Sequence, residues 1–461
     1  MRSLLSYGTY IPRHRLERAE LADALGAGGG RGARAVASYD EDATTMGVEA
    51  ARRVVDGAHP GAIYLATTAP PYLDKTNASA IHAALGLGRA GFAVDMAGSV
   101  RSAVGALRAA AHAGGLAVLS DLRTGRPGSA DERDGADAAA AFLFGEGEGI
   151  ARVVAEASVT AEFLDRWRTP GEPASNCWEE RFGLDQYLPL IREATRRALD
   201  AAGVEQPDHV IVSSPHLRAA RTAQRELAGR VPEEAPPIGF AGTADAGIRL
   251  AATLDRAKPG ERILLVVAAD GCDATVLEVG DGIEARRPSR TVAEAAAGGR
   301  PVRYATYLTW RGLLEREPPR RPEPERPAGP PSARSEGWKF AFVGSRCGKC
   351  GQVHVPPRRV CVGCGAVDAM ERAPLADREG TVVTYTVDRL AFSPSPPIIN
   401  AVIDFDGGGR YALEVADARP DEIEIGTRLE LTFRRLYTTG GVHNYFWKAR
   451  PVAAADPGED H

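Results

Sequence analysis

The sequence predicts a layered α/β protein of two similar halves, followed by a cysteine-paired ribbon and a small all-β barrel. Three observations carry this reading. Alanine-rich helical segments alternate with short β-branched runs as far as about residue 295, the pattern of helices packed on a largely buried mixed sheet. Seven prolines between Pro318 and Pro331 then break the alternation. Beyond them stand two C-x-x-C pairs and five strand-like runs separated by glycine turns.

In the first half, residues 1–165, "ATTMGVEAARRVV" reads as helix, "AIYLATT" as strand, "NASAIHAALGL" as helix and "GFAVDMAG" as strand. "SVRSAVGALRAAAHAG" is again helix and "GLAVLSDLR" strand. The second half, residues 166–295, repeats the grammar. It runs through helix "QYLPLIREATRRALDAAGV", strand "HVIVSSP", helices "LRAARTAQRELAGR" and "AGIRLAATLDRA", and one strand "RILLVVAADGCDATVLEV". Residues 296–335 form a linker in which the proline run disfavours helix and favours an extended tether. A ribbon is assigned to 336–370, a barrel to 371–453 and a tail to 454–461. The barrel strands "TVVTYTV", "IINAVIDF", "RYALEVA", "RLELTFRRLYT" and "HNYFWKARPV", with turns "DGGG" and "TTGG", match a five-stranded OB-fold in number and length.

At 461 residues the chain is long enough for two or three cores, and 44% hydrophobic with 25% charged residues is ordinary for a globular protein. Sixty-one acidic against 56 basic residues give a net charge of -5, which implies no polyanionic partner. From residue 336 onward 15 basic face 17 acidic residues, so the OB-fold carries no overall positive charge for nucleic acid. The N-terminal stretch has no signal-peptide pattern and no apolar run reaches the ~18 residues of a membrane span. A cytoplasmic protein is therefore expected.

"CGKCGQVHVPPRRVCVGC" places Cys347 and Cys350 two residues apart, and Cys361 and Cys364 likewise. Each C-x-x-C turn points two thiolates at one ion, and four thiolates make the closed tetrahedral shell of structural zinc. Such a shell leaves no open coordination position, so this zinc holds structure and performs no chemistry. His354, between the pairs, is read as a loop residue. Cys177 and Cys272 are isolated and read as small packing residues.

Several stretches carry a resemblance: "YDEDATTMGVEAARR", "PPYLDKTNASAIHAALGL", "RPGSADERDGADAAAAFLFG", "PHLR" and "AKPGERILLVVAADGCDAT". Through them, residues 1 to about 295 resemble the hydroxymethylglutaryl-CoA synthase branch of the thiolase superfamily. Residues 336 to about 453 resemble the zinc-ribbon and OB-fold acyl-CoA-associated proteins that accompany thiolases. The resemblance implies a thiolase-like fold that binds a CoA thioester through a pantetheine tunnel and forms a homodimer, or a heteromer with a thiolase or ketosynthase. It also implies a catalytic cysteine five residues after the aspartate that is Asp95 here. That position is Val100, which cannot be acylated. The nearby Ser99 and Ser102 are expected to cap the following helix. The family histidine falls on Ser213 and the asparagine after it on His216. The later asparagine falls on Gly242 and the glutamate base on Thr68.

With the nucleophile and its partners replaced, three functions remain in view. The first is carbon–carbon chemistry that needs no acyl-enzyme, such as aldol or retro-aldol reaction of a β-hydroxyacyl-CoA, with His216, Ser213 and Asp273 as candidate catalytic groups. The second is a non-catalytic subunit that partners an active thiolase or ketosynthase. The third is an acyltransferase whose nucleophile has moved to Cys177, Cys272 or a serine.

Overall fold

Alternating small and branched residues build one broad sheet before the proline run. The computed structural model describes residues 2–26, 30–55, 57–231, 234–317, 322, 324–391 and 393–452. They fall into two compact units. One comprises the described residues up to Ser38, then Asp42–His82 and Leu87–Arg311; the other comprises Tyr39–Glu41, Ala83–Gly86 and the described residues from Gly312 onward.

The first unit is organised on a nine-stranded mixed sheet in the order His209–Ser213, Arg262–Ala268, Cys272–Val279, Ala151–Val159, Ser3–Tyr10, Asp137–Gly145, Gly115–Leu122, Ala62–Thr67, Phe92–Ala97. Both wings end in parallel strands: Ala62–Thr67 pairs in parallel with Phe92–Ala97 and Gly115–Leu122, and His209–Ser213 with Arg262–Ala268. Ala62–Thr67, Gly115–Leu122, His209–Ser213 and Arg262–Ala268 are largely buried because helices cover both faces, whereas no residue of the edge strand Phe92–Ala97 is fully buried. Helix Ala43–Val55 packs on Ser3–Tyr10 and Asp137–Gly145, while Glu180–Ala202 covers Ala151–Val159 and Cys272–Val279. Helices Ser102–Ala113 and Thr243–Leu254 touch each other and the other face of the sheet. The approach is close: a Cβ at Gly247 would lie 2.7 Å from the Ala140 methyl. Glycine therefore costs helix propensity here but permits the contact.

Three sequence expectations change. The run 262–279 is not one strand but an antiparallel hairpin, turned by Asp270 (φ 50°) and Gly271 (φ 128°). The first unit extends past residue 295 to Arg311, because Tyr304 and Tyr307 pack with Leu16, Leu21, Val36 and Val302 and Arg311 pairs with buried Asp137. The proline segment is helical over Gly329–Arg334, since Pro330 and Pro331 occupy the first turn, where no amide hydrogen is needed.

In the second unit, Val343–Cys347, Val353–His354 and Met370–Pro374 form a three-stranded ribbon. A closed barrel follows in the order Gly380–Asp388, Ile398–Phe405, Arg410–Val415, Val442–Pro451, Arg428–Thr439, with Phe433 and Trp447 buried inside it. All five strands expected of an OB-fold are present. The expected tail, 454–461, lies outside the described residues. No described helix is long and apolar enough to cross a membrane.

Candidate functional site

A cleft of about 750 Å³ opens where strands Ala62–Thr67 and Phe92–Ala97 end. Sites in open α/β sheets gather at such carboxyl ends. Val100 forms part of the wall and is 4% exposed. Asp95, which fixes the register of this turn, accepts the backbone N–H groups of Asn77 and Ala78, each at 2.7 Å. It anchors the start of helix Ala78–Ala84 and does not line the cleft. Ser99 and Ser102 do not supply the expected cap. The N-cap position of helix Ser102–Ala113 is Arg101, which makes no side-chain cap bond and instead donates to Asp273 at 2.7 Å.

Thr68 and Arg123 line the cleft beside Val100. Behind them is Asp121, fully buried. The Thr68 hydroxyl donates to the Asp121 carboxylate at 2.8 Å, and the Thr68 and Thr243 amides donate to it at 3.1 and 3.0 Å. Arg123 Nη1 donates to Thr68 Oγ1 at 3.2 Å. Burial pushes the Asp121 carboxyl up from its ordinary range, opposed by Arg123 and by the Thr243 and Thr68 hydrogen bonds. Gly242 completes this arrangement. Its φ is 57° with ψ -129°, and a Cβ there would lie 2.0 Å from Asp121 Oδ2. Where the resemblance places an asparagine, the space already belongs to Asp121.

A second cavity of about 800 Å³ shares Arg123, Arg166 and Pro215 with the first. Arg218, Arg221 and Arg225 face it from helix Leu217–Glu226 at helical spacing, and Asp165, Cys177 and His216 also line it. Arg166 forms a two-pronged pair with Asp131 at 2.6 and 2.9 Å. That pairing outweighs burial and holds the Asp131 carboxyl below the ordinary carboxylate range.

The sequence-predicted catalytic groups are not brought together. His216 reaches the second cavity, but its Nδ1 accepts the Ala219 amide at 3.1 Å and its Nε2 donates to the Glu180 carbonyl at 2.8 Å. Both ring nitrogens are thus committed to backbone, with the proton on Nε2. Ser213 is fully buried and donates to Asp245 at 2.7 Å. Asp273 is held by Arg101 and by the Ser158 hydroxyl at 2.6 Å. Cys272 is fully buried within an apolar cluster, and burial pushes its thiol up. Cys177 is exposed; desolvation raises its thiol, Arg166 opposes that, and Asp131 and Asp165 add to it. Sequence reading missed Asp121, Arg123, Asp131, Asp165 and Arg166. The charged run "SDLRTGRPGSADERD", which begins at the end of a buried strand, was the available signal for Asp121, Arg123 and Asp131; Asp165 and Arg166 lie outside it.

In the ribbon, the sulfurs of Cys347, Cys350, Cys361 and Cys364 lie within 4.8 Å of one another, with Cys347 and Cys364 at 3.7 Å and Cys350 and Cys361 at 3.4 Å. Four thiolates around a zinc ion at ~2.3 Å would stand about 3.8 Å apart. Each knuckle closes with a glycine of positive φ, Gly351 at 77° and Gly365 at 71°, whose amides donate to the Cys347 and Cys361 carbonyls. The donor set fits zinc. His354 is in a short strand and is not among the ligands.

Comparison with known proteins agrees with both units. Residues 340–371 match the family described as ChsH2, rubredoxin-like zinc ribbon domain, and residues 373–434 the family described as ChsH2, C-terminal OB-fold domain. Hydroxymethylglutaryl-CoA synthase of Archaeoglobus fulgidus is 32% identical over 343 residues, covering 68% of this chain and 100% of that protein. The enzyme of Methanothermobacter thermautotrophicus is 30% identical over 344 residues, covering 68% and 99%. Among solved structures, a hydroxymethylglutaryl-CoA synthase complexed with CoA matches with a TM-score of 0.59 at 17% identity over 67% of this chain and 90% of that one. The curacin-pathway synthase in complex with an acetyl donor acyl carrier protein gives 0.56 at 17%, over 67% and 87%. These structural likenesses support a thiolase-like fold.

Proposed function

Because this chain belongs to the hydroxymethylglutaryl-CoA synthase family through its N-terminal two thirds, we propose that it binds an acyl-CoA or acyl-carrier thioester and acts on a carbon–carbon bond without an acyl-enzyme. The observation that carries the reading is the cleft itself. Its wall at the family's nucleophile position is the buried side chain of Val100, while Thr68 and Arg123 line the same cleft and Asp121 stands behind them as an acid/base group bonded to Thr68.

The reaction this supports best is aldol or retro-aldol chemistry on a β-hydroxyacyl thioester. In the cleavage direction, the β-hydroxyl proton passes through the Thr68 hydroxyl to Asp121, whose raised affinity for protons suits it to receive one. The bond between Cα and Cβ breaks, a carbonyl forms at Cβ, and the electron pair moves to the thioester enolate, facing the Arg123 guanidinium. Return of the proton to Cα completes the cycle. The second cavity, with Arg218, Arg221 and Arg225 on one helix face, suits the phosphates of a CoA or of a carrier's pantetheine arm. Solved relatives carry CoA or a donor acyl carrier protein.

The acid/base work expected of His216, Ser213 and Asp273 passes in this reading to Asp121 and Thr68, because the former are committed to backbone, Asp245 and Arg101 respectively. Zinc, held by the four ribbon cysteines, has a structural role, and its thiolate ligands suit a reducing cytoplasm. Asp121→Asn is expected to abolish cleavage of a β-hydroxyacyl-CoA while leaving its binding intact; unchanged turnover would overturn the assignment.

One observation favours assembly with a second subunit. Phe92–Ala97 is an edge strand of the large sheet, and Phe92 is 56% exposed there. A sheet edge of this kind pairs readily with another chain, which supports the reading of a homodimer or a heteromer with a thiolase or ketosynthase. Size-exclusion chromatography with light scattering, alone and with native lysate, distinguishes these; a monomer in both removes the scaffold reading.

A further inference from the structure

Two cations lie wholly inside the barrel unit, away from the zinc ligands: Arg434 at 0% and Lys448 at 1% exposure. Buried charges persist only when they are paired, and the pairing here is specific. Arg434 Nη1 stands 2.8 Å from Glu41 Oε1 and 3.3 Å from Asp40 Oδ1, and its Nη2 stands 2.6 Å from Asp417. Lys448 Nζ lies 3.0 Å from Asp40 Oδ2, 2.7 Å from Glu414 and 5.2 Å from the centre of the Tyr39 ring. Burial opposes the Lys448 charge, and Asp40, Tyr39 and Glu414 overcome it and hold the ammonium above its ordinary range.

The backbone is read as well. The Arg435 amide donates to the Asp40 carbonyl at 2.9 Å and its guanidinium to the Tyr39 carbonyl at 2.6 Å. Thus two carboxylates, an aromatic ring and two carbonyls of three consecutive residues are each met by a group on strands Arg428–Thr439 and Val442–Pro451. Asp417 and Glu414 give each buried cation one carboxylate from the barrel unit outside the tripeptide. The other carboxylates come from the tripeptide: Asp40 meets both cations and Glu41 meets Arg434 as well.

We propose that this face of the barrel unit is a recognition socket for an acidic Tyr-Asp-Glu segment, occupied in this chain by Tyr39–Glu41. The ligand class is an acidic peptide with an aromatic first residue. Aspartate is selected at the second position because its two oxygens bridge Arg434 and Lys448, which an amide cannot do with both atoms. The inference is independent of the thioester reading.

Amide exchange in the full-length, zinc-loaded protein tests it. In D40N/E41Q the Arg435 amide is expected to exchange at least tenfold faster, while the barrel ladder amides of Leu431 and Ala449 keep their protection. Asp417→Asn, which removes a barrel-borne partner of the same arginine, leaves the Arg435 amide protected. Unchanged exchange at Arg435 in D40N/E41Q overturns the proposal. If the ladder amides quicken too, excess synthetic peptide Ser-Tyr-Asp-Glu-Asp decides: restored protection at Arg435 supports the socket, and no restoration overturns it.

Discussion

Restoring the asparagine that the family resemblance places at position 242 is expected to damage this protein. Gly242→Asn puts a side chain on a residue with φ 57° and ψ -129°, a combination costing an L-residue about 1–3 kcal/mol. The new Cβ would meet Asp121 Oδ2 at 2.0 Å and Arg123 Cδ at 2.9 Å, so the buried carboxylate must move and release the hydrogen bonds of Thr68 and Thr243. Overpacking of that kind costs about 1–3 kcal/mol more. The total, about 2–6 kcal/mol, is read as a lowered guanidinium midpoint for the transition of the first unit by circular dichroism, with Gly61→Ala as control. A Cβ at Gly61 meets nothing within 4 Å and its φ is not positive. A G242N midpoint equal to that of the control, with cleft binding retained, would refute the reasoning that Asp121 occupies the family's asparagine space.

Three further outcomes are expected. His216→Ala removes the side-chain cap of helix Leu217–Glu226 and the bond to the Glu180 carbonyl; stability should fall by about 1–2 kcal/mol while turnover per folded molecule stays unchanged, in contrast to D121N. Asp131→Asn should flatten the acid limb of stability in urea titrations from pH 6 to pH 3. The folded carboxyl is held below its unfolded value, so its stabilisation is present above about pH 4 and lost as pH falls through the lower folded value. Cys361→Ser should lower bound zinc, measured by atomic emission, from one ion per chain to none and unfold the ribbon, with the nine-stranded sheet retained.

Much of the fold was legible because its causes are local. Helix Ala43–Val55 and strands such as Ala62–Thr67 announce themselves through periodicity and branched side chains. The cysteine pairs announce themselves by spacing, and the five barrel strands by alternation with glycine turns. The hairpin at 262–279 had a signal in Asp270-Gly271, a favoured hairpin turn pair with both φ angles positive, which reading the apolar run on either side as one strand overlooked. The site was less legible for a different reason. Whether His216 is a working base depends on the carbonyl of Glu180 and the amide of Ala219, and the partners of Asp121 come from residues 68 and 243 as well as its own strand. Such meetings are decided by packing, and no spacing rule reports them. The same holds for Asp40 and Arg434, almost four hundred positions apart and in contact.

The central claim is that this member of the hydroxymethylglutaryl-CoA synthase family handles a thioester without a covalent acyl-enzyme. Mass spectrometry of the zinc-loaded protein incubated with acetyl-CoA and with a β-hydroxyacyl-CoA, run under native and then denaturing conditions, tests it most directly. The account predicts a thioester complex in the native spectrum and an unmodified chain mass after denaturation. A mass increase of one acyl group that survives denaturation, mapped to Cys177 or to a cleft serine, would contradict it.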